Sequence, residues 1–124
     1  MKFNISRLVF FTMLGVVTAS FSGCLLYKTQ KGYASYYSDY YEGRKTANGE
    51  IFQHNKITAA HKTLPFGTKV LVTNLSNNKT VLVRINDRGP YIRKRIIDLT
   101  KTAAREIDLI GPGITKVKIR YRRF

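Results

Sequence analysis

Two-residue alternation of apolar and polar side chains is the clearest signal in this chain, and it is cleanest near the C-terminus. From Thr115 to Tyr121, Val117, Ile119 and Tyr121 alternate with Lys116, Lys118 and Arg120, which predicts a strand with one buried face and one cationic face. A second strand starts at Thr80, where Val81, Val83 and Ile85 alternate with Leu82, Arg84 and Asn86. Asp87 keeps the parity of the apolar set, so it is expected at the strand's end, aimed at or near the mouth of the core. Arg88-Gly89-Pro90 forces a turn, since Gly tolerates unusual backbone angles and Pro removes a ladder donor. A basic loop, Arg93-Lys94-Arg95, leads to a short apolar run, Ile96-Ile97, that delivers a second carboxylate, Asp98. Thr100 is placed to cap a short helix from Lys101 to about Asp108.

The remaining segments are shorter. Gly32–Ser38 reads as a first strand and Asp39–Ile51 as a loop, in which the turn dipeptide Asn48-Gly49 is followed at once by Glu50. Ile57–Ala60 reads as a short strand ending at His61, Leu64–Gly67 as a turn with a hydrophobic plug, and Thr68–Leu75 as a strand. Ser76–Lys79 has the length of a hairpin connection into the strand at Thr80. Gly111-Pro112-Gly113 breaks the chain before the last strand. About six short strands, one short helix and no βαβ pattern predict a mainly β domain. Closure into a barrel would leave no exposed edges.

Charge and the N-terminus narrow the setting. The chain has 22 Lys and Arg against seven Asp and Glu, a net charge of +15, which implies an anionic neighbour: nucleic acid, anionic lipid or acidic polysaccharide. Residues 1–23 have a short basic start and then a mostly apolar run, Leu8–Ser22, below the roughly 20 residues that span a bilayer. They end in Ser22-Gly23 before Cys24, the one cysteine of the chain. This resembles a bacterial lipobox, with Phe21 where that motif usually has Leu, and it implies a signal peptide of lipoprotein type over 1–23, lipidation at Cys24 and a tether over 24–31. Export makes nucleic acid a poor partner. Leu25 after the cysteine, by family analogy, points to the periplasmic face of the outer membrane rather than the inner membrane. One cysteine allows no internal disulfide, so the fold must hold by its core.

The segments GYASYY, GRKTANGEIF, TAAHKTLPFGTKVLVTNL, VLVRINDRGPY and RIIDLTKTAA resemble the rare lipoprotein A family of bacterial envelope proteins, over about Gly32–Tyr121. The resemblance implies a six-stranded double-psi β-barrel with one or two short helices, occupying 32–124. It implies a peptidoglycan substrate and endolytic lytic transglycosylase action on glycan strands lacking stem peptides, giving 1,6-anhydro-muramyl ends. Catalytic candidates carry over onto Glu50, His61 and Asp87, and Asp98 matches the catalytic acid of expansin and endoglucanase relatives. Many members carry a C-terminal domain that binds denuded glycan; with the sequence ending at Phe124, none is expected here. Some members lack detectable lytic activity, so the competing reading is a non-catalytic, expansin-like glycan-binding lipoprotein or a structural partner at the division site.

The chemistry asks for few groups. A lytic transglycosylase needs one carboxyl that protonates the bridging oxygen and then takes the proton of the sugar's own 6-hydroxyl, whereas hydrolases usually need two. Asp87 and Asp98 are both candidates, with Glu50 converging on them to raise the acid's pKa by like charge. His61 either orients a carboxyl group or makes a hydrogen bond at the barrel rim; His54 is expected to be exposed. Tyr37, Arg88, Tyr91 and Arg95 are the expected substrate-binding residues, with Tyr36, Tyr40 and Tyr41 as further candidates for stacking on sugar rings. Alternation assigns about half of these tyrosines to packing instead. Lys116, Lys118, Arg120, Arg122 and Arg123 form a basic face, either simply solvated or turned to anionic glycan or lipid. His61, Asp87 and Glu50 lack tight ligand spacing, so no metal and no cofactor is expected.

Overall fold

The computed structural model describes residues 26–123. Six strands, β1 (Tyr27–Tyr36), β2 (Thr58–Ala60), β3 (Lys69–Asn74), β4 (Thr80–Asp87), β5 (Arg95–Leu99) and β6 (Ile114–Arg122), close into a barrel in the order β1-β5-β2-β4-β3-β6. One helix, α1 (Lys101–Glu106), and a 3-10 turn at Asp39–Tyr41 complete the regular structure.

Alternation sets the inside of the barrel. Val81, Val83 and Ile85 of β4 meet Val70 and Val72 of β3 and Val117 and Ile119 of β6, all buried. Ile97 and Leu99 of β5 join them, and Ala103, Ala104, Ile107 and Leu109 close one end. Each Val, Leu or Ile among them contributes roughly 1.5–3 kcal/mol when fully buried. The cationic positions of β6 stay out of this core: Lys116 and Arg120 are exposed and Lys118 is half-buried. Thr100 caps α1, its hydroxyl accepting from the Ala103 amide at 3.4 Å. Asn74, buried at the end of β3, donates to the Ile107 carbonyl at 2.7 Å and so fastens the segment after α1 to the barrel.

Two strand pairs, β1–β5 and β2–β4, are parallel, and the other four are antiparallel. Parallel neighbours cannot be joined by a tight hairpin. The long connections 37–57, 61–68 and 88–94 therefore cross over the barrel, and the ends of β2, β4 and β5 meet at one mouth.

Two local expectations are corrected. Tyr27–Lys31, read as tether, is the first half of β1 and pairs with Arg122–Lys118 of β6. This stretch is exposed along its length, so backbone hydrogen bonds hold it and no apolar period marks it. At the turn after His61, Leu64 is the buried plug, whereas Phe66 is exposed, with the Arg88 guanidinium 4.0 Å above its ring. Where β1 crosses β5, Gly32 is required: a Cβ there would lie 2.6 Å from Ile96 Cγ2.

Candidate active site

The mouth formed by the ends of β2, β4 and β5 holds a cleft of about 360 Å³. Ala60, the last residue of β2, pairs in register with Asp87 of β4 on one side and with Asp98 of β5 on the other. The two aspartates thus stand at one level, two strand spacings or roughly 10 Å apart by backbone. Both line the cleft, with Tyr37, Tyr41, Tyr91 and Arg95 around them. Ala60 leaves the space between them open.

Asp87 is held by neutral donors. Its Oδ1 accepts from the amides of Ala47 and Arg88, each at 2.9 Å, and its Oδ2 accepts from the Tyr37 hydroxyl at 2.6 Å. No cation forms a salt bridge with it among the described residues. Tyr37 is buried against Phe52, ring centroids 4.4 Å apart, and meets Tyr41 edge-on. Burial first, then the hydrogen bond to Asp87, pushes the Tyr37 phenol well above its ordinary pKa, so it remains a proton-bearing donor.

Asp98 is held by a cation. Its Oδ1 accepts from Arg95 Nη2 and from Ser35 Oγ, both at 2.5 Å, and Arg95 Nη2 also reaches Ser35 Oγ. The side chains of Arg95 and Asp98 are only 19% and 16% exposed, so this pair is shielded from solvent. Arg95 is therefore committed to Asp98 before any ligand arrives, and Arg95 Nε is buried without a partner among the described residues.

The other two catalytic candidates do not join this cleft. Glu50 forms a two-pronged pair with Arg84, at 2.5 and 2.8 Å, and accepts from Asn48 and Asn86. The Arg84 hydrogen bond is the main reason its pKa falls to about 2, which keeps it ionised and unable to deliver a proton near neutral pH. Its effect on the cleft is indirect: it ties the loop 46–50 to β4, and Ala47 of that loop donates to Asp87. His61 is buried, its Nδ1 accepting from the amides of Thr63 and Leu64 at 3.1 Å. The proton is then on Nε2, which donates to Gln30 Oε1 at 3.1 Å. Burial is the leading cause of its lowered pKa, about 4, so His61 is neutral and braces the rim. Its amide also donates to the Asp87 carbonyl, fixing the end of β4.

Of the expected substrate-binding residues, Tyr37 and Arg95 line the cleft while serving the two aspartates, and Tyr91 stands 78% exposed at its edge. The Arg88 guanidinium turns away, donating to the carbonyls of His61 and Leu64. His54, expected to be exposed, is not: its side chain is 16% exposed, its Nδ1 accepts from the first amide of α1, and its Nε2 faces Asp39 at 3.2 Å. Asp39 in turn pairs with Lys101, and of the groups that line the hollow of about 430 Å³ beside them Asp39, Glu42, His54 and Thr102 are already bonded to one another or to Lys101, with Asn55 and Arg105 completing the wall. Among the described residues no three His, Cys, Asp or Glu side chains converge as metal ligands. Cys24 lies outside the described residues. Sequence reasoning missed Ser35 and Ala60. The alternation in GYASYY puts Ser35 on the opposite face from Ala34, but only the pairing with β5 reveals Asp98 as its partner.

Comparison with known proteins agrees with this geometry. A family model described as lytic transglycolase matches residues 29–119. The endolytic peptidoglycan transglycosylase RlpA of Pasteurella multocida is 58% identical over 88 residues, covering 71% of this chain and 30% of the relative. The corresponding protein of Campylobacter jejuni is 52% identical over 97 residues, covering 78% of this chain and 35% of the relative. The chain thus matches about a third of the length of these relatives. Among solved structures, the Streptomyces papain inhibitor superposes with a TM-score of 0.62 at 22% identity, covering 77% of this chain and 96% of that one. An expansin of Clavibacter michiganensis superposes with a TM-score of 0.58 at 22% identity, covering 77% of this chain and 51% of its own. At that identity these two show the barrel fold alone.

Proposed function

The chain belongs to the lytic transglycolase family, and on that premise we propose that it cuts peptidoglycan glycan strands internally, without water, leaving 1,6-anhydro-muramyl ends. The observation that carries this reading is the pair of aspartates flanking Ala60 in one cleft, one ion-paired and one not. Glycan strands lacking stem peptides are the substrate in this reading, as inferred from the family.

The roles follow from the surroundings. Asp87, free of a cationic partner, is the group that carries a proton to the bridging oxygen. Its Oδ1 is fixed by two amides, and Oδ2, shared with Tyr37, is the oxygen that exchanges the proton. As the glycosidic bond breaks, its electron pair goes to the leaving oxygen and positive charge spreads over the anomeric carbon and ring oxygen. Asp98, ion-paired with Arg95, faces that charge across the cleft. Asp87, now a carboxylate, takes the proton of the muramyl 6-hydroxyl while that oxygen attacks the anomeric carbon. The 1,6-anhydro ring closes and Asp87 is protonated again. Tyr91, exposed at the cleft edge, offers a flat face to a sugar ring.

In the same reading the chain is a lipoprotein, acylated at Cys24 and held at the periplasmic face of the outer membrane, where a division-site partner would meet it. Two acyl attachments give firm anchoring where one does not. Cys24→Ser should move the protein out of the membrane fraction; an unchanged distribution overturns the anchor. For the chemistry, sacculi and peptide-stripped glycan strands are incubated with the protein and the released sugars weighed by mass spectrometry. Anhydro-muramyl products are expected. Their complete absence overturns the enzyme and leaves a glycan-binding barrel.

A further inference from the structure

The outer surface of β1, β6 and β3 carries positive charge with nothing of opposite sign on it. By register, Thr29, Arg120, Leu71 and Leu82 form one cross-strand row, and Lys31, Lys118, Thr73 and Thr80 the next. The three strands β1, β3 and β6 contain no Asp or Glu. None of the ion pairs among the described residues reaches Lys31, Lys69, Lys118, Arg120 or Arg122. The field ends at β4, where Glu50 pairs with Arg84.

Apolar surface sits within this field. Leu82 is 55% exposed and Tyr27 47% exposed, and with Leu71 they line a shallow groove of about 390 Å³ between Lys69, Arg120 and Arg122. The Arg120 guanidinium lies over the Tyr27 ring at 4.3 Å. The chain enters the barrel beside this face: the Leu26 carbonyl accepts from the Arg123 amide at 2.6 Å, and Leu26 is itself exposed.

We infer that this face docks the barrel onto an anionic lipid surface. Cations alone would suit any acidic polymer, but a soluble polyanion gives no role to exposed Leu82 and Tyr27 set beside half-buried Leu71 among them. A bilayer interface takes both, with phosphates meeting the cations and Leu71, Leu82 and Tyr27 resting at the headgroup boundary. Asp87 lies five residues beyond Leu82 along β4, roughly 17 Å away, so contact through the Leu82 row leaves the cleft mouth clear of the lipid. The inference does not depend on the cleavage chemistry or on acylation of Cys24.

The test uses residues 25–124, which contain all six strands of the closed barrel and leave no edge for the preceding residues to complete. Cosedimentation with phosphatidylglycerol–phosphatidylcholine vesicles is expected, with none on pure phosphatidylcholine and release at high salt. Each of Lys69→Glu, Lys118→Glu and Arg120→Glu should weaken vesicle binding at least five-fold, following the surface potential of anionic lipid. Leu82→Ser separates the occupants. It should weaken vesicle binding several-fold while leaving retention on a soluble acidic polymer, polygalacturonate, unchanged. Circular dichroism and the unfolding midpoint should match the parent in all four variants, since every changed side chain points outward. If Leu82→Ser binds vesicles as the parent does, or if phosphatidylglycerol vesicles are not bound at low salt, the lipid surface is wrong. Binding of polygalacturonate alone would reassign the face to an acidic polysaccharide.

Discussion

Asp87 and Asp98 occupy equivalent positions on either side of Ala60, yet the barrel surrounds one with neutral donors and the other with a partly buried cation. The difference comes from what lies behind each strand end. Behind Asp87 are the loop 46–50 and the aromatic cluster of Tyr37 and Phe52, which supply the Ala47 amide and the Tyr37 hydroxyl. Behind Asp98 is β1, which supplies Ser35, while Arg95 comes from three residues earlier on β5 itself. Two carboxyl groups with dissimilar environments can divide the work of one reaction, one moving a proton and one remaining charged.

The sharpest way to break this contrast is to remove each titrating group in turn. Asp87→Asn keeps the shape and should reduce anhydro-product formation by roughly 10² to 10⁴, the usual share of general acid–base help. Asp98→Asn should retain the proton step and lose less, roughly 10- to 100-fold, through weaker stabilisation of the developing charge. If the ranking is reversed in rate assays on peptide-stripped glycan, the two roles are exchanged.

The supporting residues should show up in stability before activity. His61 has its pKa lowered from 6.5 to about 4 by burial. Between those values the unfolded chain binds a proton that the folded chain refuses, so stability rises with pH across that window and is level above it. The slope amounts to as much as about 3 kcal/mol, and His61→Gln should remove it in urea unfolding measured at several pH values. Tyr37→Phe leaves Asp87 without its phenol donor, and kcat should fall about tenfold, equivalent to 1.4 kcal/mol, with KM little changed. An equal loss in an Asp87→Asn background would show that Tyr37 acts by packing and not through Asp87.

The smallest effect belongs to Glu50. Its pKa, lowered from 4.5 to about 2, means its pairing with Arg84 stabilises the fold above pH 4.5 and is lost as pH falls toward 2. The pair is about a third exposed, so solvent screening leaves roughly 1 kcal/mol. Glu50→Gln should flatten the acid limb of the stability profile between those values, mostly below the window of His61. A Glu50→Gln variant as inactive as Asp87→Asn, with its fold intact, would give Glu50 a chemical role beyond its pairing with Arg84.

Much of the barrel was readable along the chain because one-sided burial writes itself as a period of two. The strand at Val81–Ile85, the last strand at Val117–Tyr121 and the Thr100 cap were all set by local pattern. The first half of β1 was not, because a strand exposed on both faces has no period to read. Parity also put Asp87 at a strand end. What parity cannot contain is who lies beside a residue from a distant strand. The parallel pairings of β1 with β5 and β2 with β4 are made by crossing connections, so the partners of each carboxylate are set by register between segments far apart in sequence. Tertiary structure alone decided that Arg84 takes Glu50 out of the cleft, that burial keeps His61 neutral between Gln30 and two amides, and that Arg95 and Ser35 claim Asp98. A charged or polar side chain is satisfied by whichever partner the closed barrel brings within hydrogen-bonding distance, and that distance exists only after the strands have paired.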